Sequence, residues 1–194
     1  MKIKQQEQIK AFLDGEFGPD AARGLLARQE EKLRFLIEST KNKSKNQMKT
    51  MEQTLLPRIA LYQVLQQEGC SQAEAYACLR RYMMDHVAAQ KHAATARMEA
   101  VPGFYALYSR IFLRIMRTTD LQESVQTRGK DSFDVTIRRC LWHTACVENG
   151  CPEVCRLFCD VDDVNYGGLK KIGFSRTKTL GYGGDCCDFH FYKK

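Results

Sequence analysis

The sequence has no long apolar run. Unbroken runs reach only five residues, as in Phe104–Tyr108, far short of the roughly 20 residues that a bilayer-spanning helix needs. Met1–Lys10 is polar, with no apolar centre, and does not read as a secretory signal. No Cys-x2-Cys pair occurs, so the knuckle of most structural zinc sites is missing. There is no internal repeat and no low-complexity segment. Histidine is scarce, with His86, His92, His143 and His190 the only ones, and Trp142 is the sole tryptophan. These absences exclude a membrane span, a repeat architecture and a standard zinc finger. They leave a globular chain expected in the cytoplasm.

The chain has 194 residues. At that size roughly 70% of the unfolded surface is buried on folding, so neither metal nor disulfide is needed merely to fold. Hydrophobic content of 44% and charged content of 27% are ordinary. The net charge is +7, but acids and bases balance over residues 140–194, so the excess lies in the first part. Its densest piece is Lys41, Lys43, Lys45 and Lys49. That run has no aromatic interleaving and no reading motif, so it is a solvated loop rather than a nucleic-acid surface. The partner expected is a small molecule, with neither nucleic acid nor membrane; a homo-oligomer stays open.

Cysteine is the anomaly. There are nine, at 70, 78, 140, 146, 151, 155, 159, 186 and 187, and most crowd the C-terminal end. In a reducing compartment, clustered thiols are catalytic, metal-binding or buried rather than disulfide-bonded.

The first 118 residues read as helix. Gly18-Pro19-Asp20 ends one helix and starts another that runs to about Thr40. Met48, Met51, Leu55, Ile59, Tyr62 and Leu65 keep a helical period, kinked at Pro57 and stopped at Gly69. Ser71-Gln72-Ala73-Glu74 is a capping box that starts the next helix, which ends before Val101-Pro102-Gly103. A fourth follows, with Phe104, Leu107, Tyr108, Ile111, Phe112 and Ile115 as its buried stripe. The character changes near Thr119. Ser124–Thr127 and Phe133–Arg138 alternate around Gly129-Lys130-Asp131, which predicts a hairpin. Two short helices, over about 140–149 and 152–160, and two strands, over about 171–177 and 186–192, follow. The expected fold class is α+β, a helical N-terminal layer packed with a small C-terminal antiparallel sheet and short crossing helices. The expected organisation is a helical lobe over residues 1–118 and a cysteine-rich lobe over 119–194.

Three places can carry chemistry. Cys151, Cys155 and Cys159 recur at helical spacing along one face. In Phe158-Cys159-Asp160-Val161-Asp162-Asp163, a thiol at a helix end meets three carboxylates, which oppose the helix dipole. In Gly181-Tyr182-Gly183-Gly184-Asp185-Cys186-Cys187-Asp188, glycines let backbone amides approach a ligand, and alternation then sets Cys187, Phe189 and Phe191 on one face. Of the histidines, His143 is best placed to act as a base or ligand.

The segments Thr54-Leu55-Leu56-Pro57, Ala60-Leu61-Tyr62 and Gly69–Ala75 resemble the helical front of the L-2-amino-thiazoline-4-carboxylic acid hydrolase family. So, more specifically, do Phe158–Asp162, Phe174-Ser175-Arg176-Thr177-Lys178-Thr179-Leu180 and Gly183–Phe189 at the rear. The resemblance runs from about residue 20 onward. It implies hydrolysis of a small sulfur heterocycle, opening 2-amino-thiazoline-4-carboxylate to N-carbamoyl-cysteine. By direct match it places Cys159, Asp162, Arg176, Thr179, Gly183, Gly184, Cys187 and Asp188 in the family motif, with Cys140 after the hairpin. Cys146, Cys151, Cys155 and Cys186 lie outside that pattern.

The substrate sets the roles expected. Cys159 or Cys187 attacks as thiolate, or a water is activated beside them. Arg176 fixes the substrate carboxylate. Asp162 or Asp188 holds the amidine nitrogens, and His143 is a candidate base. Thr179, Gly183 and Gly184 complete the substrate loop. No cofactor is required. One alternative is a metal protein in which Cys140, Cys159 and Cys187, with His143, bind zinc or iron. Another is a non-catalytic binding module lined by Phe174, Tyr182, Phe189 and Phe191.

Overall fold

Helices begin where the chain supplies caps and end where it supplies glycine. The computed structural model describes residues 4–194. Helix α1 (Lys4–Phe17) stops at Gly18, whose φ is 79°, and Pro19 opens α2 (Pro19–Ser39), where its missing N–H costs nothing. Ser44 and Gln47 form a capping box at α3 (Lys45–Thr50). A π-helical turn over Met51–Leu55 joins α3 to α4 (Leu56–Gln67). Pro57 therefore sits in the first turn of α4, and the widened turn before it takes up the expected kink. Gly69, at φ 98°, follows the end of α4. Ser71 caps α5 (Gln72–Arg81), its hydroxyl accepting the Glu74 N–H while Glu74 accepts the Ser71 N–H at 2.8 Å. A second π-helical segment, Tyr82–Ala88, leads to α6 (Ala89–Met98).

The chain divides into two compact units, Met1–His86 and Val87–Lys194. The change of character near Thr119 marks where strands begin, but the division falls earlier. Helix α6 packs on the later helix α9 (Val154–Tyr166), and α7 (Phe104–Thr118) packs on β1 (Gln122–Arg128), so both go with the sheet.

The first unit buries Leu33, Leu36, Leu55, Leu56, Ile59, Leu61 and Leu65. Its interior is not wholly apolar: Gln29 is fully buried, bonded to the Gln6 amide and the Pro57 carbonyl.

The second unit holds a four-stranded antiparallel sheet in the order β1-β2-β4-β3. Its other strands are β2 (Ser132–Cys140), β3 (Ile172–Ser175) and β4 (Cys187–Lys193). Helix α8 (Leu141–Glu148) follows β2 directly, and α9 crosses back before β3. This is the α+β architecture expected. Strand alternation puts Phe133, Val135 and Ile137 beside Phe191, Phe189 and Cys187 on the buried face. Phe133 and Phe191 stack at 4.8 Å, and Phe112, Tyr166 and Phe174 close on Phe191 at 5.0, 5.0 and 4.9 Å. Truncating a ring so enclosed costs about 3–5 kcal/mol.

Two expectations need correction. On α7, Phe104 is buried, but Leu107, Ile111 and Ile115 are 41%, 46% and 51% exposed. The helix instead turns Leu113 and Met116 inward. Periodicity finds an apolar stripe but does not say which part of a wide one meets the sheet. Second, α9 does not end near Asp160. Val161 and Asn165 are buried and carry the helix to Tyr166, so the three carboxylates lie inside it. Cys151 precedes that helix, leaving Cys155 and Cys159 as its thiols.

Candidate active site

The site lies in the second unit, where α8, α9, the 180–182 turn and the start of β4 meet. Cys155 and Cys159 are one turn apart on α9 and share a side. The Cys146 and Cys159 thiols both hydrogen-bond to the Cys155 sulfur. Cys146 also bonds to Cys151, and the Thr179 hydroxyl bonds to Cys159. These bonds, with His143 nearby, hold the Cys155 thiol far below its ordinary range against the opposing effect of burial. Cys146 is pushed up by its hydrogen bonds to Cys151 and to Cys155 and by burial, and Cys159 by its bond to Cys155 and by burial. All nine cysteines are free thiols.

Cys187 is 5% exposed, and its sulfur accepts the Leu180 N–H at 3.4 Å. Burial raises its pKa, with Cys155 and Asp162 adding repulsion and Arg176 opposing them. Cys140 is pushed up to about 12 by burial, despite hydrogen bonds from the His143 and Trp142 amides. Asp162 sits on α9, where burial raises its pKa to about 6, moderated by Lys91 and Arg176. Beside it, the Tyr108 hydroxyl donates to the Tyr166 hydroxyl at 2.8 Å.

Arg176 ties these groups together. Its Nη2 donates to the Cys159 carbonyl at 3.0 Å and to Asp163 at 2.5 Å. The guanidinium lies 5.9 Å from the Phe174 ring centre and 5.8 Å from that of Phe189. The side chain is 9% exposed, and its buried Nη1 has no hydrogen-bond partner. A buried donor left unpaired is costly, and in a cationic group it marks a place for an anion.

The loop residues have a different part. Asp188 accepts the Thr177 N–H, the Thr177 hydroxyl and the Lys178 N–H, at 3.0, 2.5 and 2.8 Å. Burial opposes its ionisation, but these bonds win and hold its pKa below the usual carboxylate range. The Gly183 N–H bonds the Leu180 carbonyl and the Gly184 N–H the Thr179 carbonyl. The glycine amides are thus used inside the turn and are not turned toward a ligand. What the turn does require is glycine: Gly183 has φ 83°, and a Cβ on Gly184 would lie 3.0 Å from the Thr179 carbonyl oxygen. Thr179 is 3% exposed.

Cys159, Cys187, Asp162, Arg176, Thr179 and His143 are therefore brought into one neighbourhood, with Asp188, Gly183 and Gly184 shaping its loop. Sequence reasoning missed the centrality of Cys155. Its one-turn spacing from Cys159 was visible, but nothing in the sequence shows Cys146 arriving from α8. Phe174, Phe189 and Phe191 pack on one another, so they fill the core rather than line a binding module. Tyr182 is exposed and donates to Asp160 at 2.6 Å. The three thiols considered as metal ligands look to different partners: Cys140 to the amides of α8, Cys159 to Cys155 and Cys187 to the Leu180 amide. Among the described residues no group of three or more His, Cys, Asp or Glu is arranged to hold a metal ion.

The sequence profile of a family described as L-2-amino-thiazoline-4-carboxylic acid hydrolase matches residues 47–191. The chain belongs to that family. The match takes in α9, the Arg176 loop and most of β4, so the thiol neighbourhood lies within the family's own span. No curated protein matches the chain. Among solved structures, a mutant H-NOX protein from S. oneidensis in the Fe(II) ligation state is 13% identical, covering 100% of this chain and 96% of that one at a TM-score of 0.40. An Fe(II) unliganded H-NOX protein from K. algicida is 10% identical, covering 100% and 97% at 0.29. Overlap at that level identifies neither fold nor ligand. No helix among the described residues is long and apolar enough to cross a membrane.

Proposed function

We propose that this family member is a hydrolase that opens a small cyclic amidine bearing a carboxylate, such as 2-amino-thiazoline-4-carboxylate, to N-carbamoyl-cysteine. The observation that carries the reading is the buried, unpaired Nη1 of Arg176 beside Cys159, Cys187 and Asp162.

Water adds to the ring carbon between sulfur and nitrogen, and the carbon–sulfur bond breaks. The sulfur leaves with the electron pair and takes a proton. Arg176 Nη1 receives the substrate carboxylate, a charge-assisted bond that fixes the ring. Asp162, as carboxylate, pairs with the protonated amidine and draws positive charge onto the carbon under attack. Cys159 and Cys187 flank that carbon and handle the protons of water and leaving sulfur. His143, beyond Cys155, supports negative charge on the thiols. Asp188 holds the Thr177–Lys178 backbone and so the loop that carries Arg176.

The test is turnover of this substrate by the full chain, followed as new thiol. Cys159→Ser and Cys187→Ser should each reduce it at least tenfold, in the range of removing a positioned acid–base group. If both variants turn over like the parent, the thiol mechanism is wrong.

A further inference from the structure

Cys155 lies outside the family motif, yet it is the sulfur on which the others converge. Cys159 bonds to it from the next turn of α9 and Cys146 from α8. Gly181 closes over the pair: a Cβ there would lie 2.9 Å from Cys159 Sγ, 3.1 Å from Cys155 Sγ and 3.2 Å from the Cys155 carbonyl carbon. Both sulfurs thus press against one point of the turn. Cys155 is 2% exposed, whereas Cys159 keeps open surface.

We propose that Cys155 is a positioning residue that shares a single proton with Cys159, with Cys159 the member that meets the substrate. This rests on the hydrolase reading above. Two sulfurs in hydrogen-bond contact do not both ionise, because the second charge would face the first in a desolvated site. The pair therefore holds one proton and one negative charge. The charge settles on Cys155, which accepts two S–H bonds, and the proton stays on Cys159. Environments that push two like groups apart mark an acid and its counterpart base.

Other titratable groups meet Cys155 from each neighbouring element. His143 and Cys146 come from α8, Cys140 from the end of β2 and Cys187 from β4. Of these, His143 is the one whose electrostatic effect favours negative charge on Cys155. As water adds to the ring carbon, its proton passes to the pair. As the carbon–sulfur bond breaks, the electron pair goes to the ring sulfur and the pair returns a proton to it. The pair ends as it began, and no oxidant or other reactant enters.

Iodoacetamide alkylation of the full chain across pH, resolved to single cysteines by mass spectrometry, tests this without turnover. In the parent, where Cys159 keeps the shared proton, Cys159 should react at about pH 8 at least tenfold more slowly than in Cys155→Ser, where it should react in the ordinary thiol range. Serine fills the same space and accepts the same bonds but cannot hold the charge. Coincident profiles would leave Cys155 a packing role and overturn the proposal. If circular dichroism shows Cys155→Ser unfolded, Cys146→Ala serves. Loss of one S–H donor weakens the hold of Cys155 on the charge and should move the Cys159 profile to lower pH, and an unmoved profile overturns the pair. A shifted profile in a protein that opens no cyclic amidine supports the pair and removes the hydrolase. Turnover with coincident profiles does the reverse.

Discussion

Arg176 grips the α9 backbone at the Cys159 carbonyl, 3.0 Å away, while its other terminal nitrogen stays buried and unpaired. The grip fixes the guanidinium relative to the thiol, so an anion bound at Nη1 is held at a set place beside Cys159. Phe174 and Phe189 flank the guanidinium, with ring centres 5.9 and 5.8 Å away.

Arg176→Lys keeps the charge and loses the fork. Since lysine cannot hold the Cys159 carbonyl, Asp163 and a carboxylate together, kcat/KM for the carboxylated substrate should fall by about ten- to a hundredfold, the equivalent of one charge-assisted hydrogen bond. A ring lacking the carboxylate should be turned over equally badly by parent and variant. Steady-state kinetics with both substrates check this; a parent indifferent to the carboxylate assigns Nη1 to something else.

Asp162 ties activity to pH in one direction and stability in the other. Its folded pKa is raised to about 6 from 3.8, so the folded state holds the proton over a window where the unfolded chain has released it. Stability from this group is therefore highest below about pH 4 and falls as pH rises to about 6. Asp162→Asn should stabilise the protein at neutral pH by about 1–2 kcal/mol while removing the amidine partner. Chemical denaturation at two pH values, with turnover alongside, would show a more stable and much slower protein.

Gly181→Ala places a methyl against Cys159 and Cys155 sulfurs and the Cys155 carbonyl carbon. Neither the helix backbone nor the packed sulfurs can retreat cheaply. Overpacking of this kind costs about 1–3 kcal/mol, which should appear as a Tm lower by several degrees and as altered alkylation of Cys159. An unchanged Tm would mean that the turn is looser than its contacts suggest.

Asp188→Ala removes the acceptor of two backbone N–H groups and a hydroxyl. Leaving them unpaired should cost about 1–3 kcal/mol and raise KM by loosening the Arg176 loop. In the parent this carboxylate has a depressed pKa. Its stabilisation is present above the ordinary aspartate pKa and is lost as pH falls through the lowered value, so parent and variant should converge in acid. Paired melts at neutral and acid pH measure the convergence.

Much of this was legible in the chain. The capping box at Ser71 and the glycines at 18 and 69 are local devices, and local devices can be read locally. Alternation after Cys186 set Cys187, Phe189 and Phe191 on the inner face because strand period alone decides that. The length of α9 was not legible. Asp160, Asp162 and Asp163 look like a helix end until the burial of Val161 and Asn165 is known. The exposed side of α7 failed for the same reason: a helix with apolar residues over a wide arc does not declare which part meets the sheet. Arg176, Asp162 and Cys187 could be nominated from the motif, but their meeting with Cys155 is a product of packing between elements far apart in sequence.

The most direct test is product analysis after incubating the full chain with 2-amino-thiazoline-4-carboxylate in heavy-oxygen water. The account predicts N-carbamoyl-cysteine carrying one solvent oxygen and one new thiol per ring opened, in amounts that collapse with Arg176→Ala and with the paired loss of Cys159 and Cys187. Substrate recovered unchanged, or product formed equally well by those variants, would contradict it.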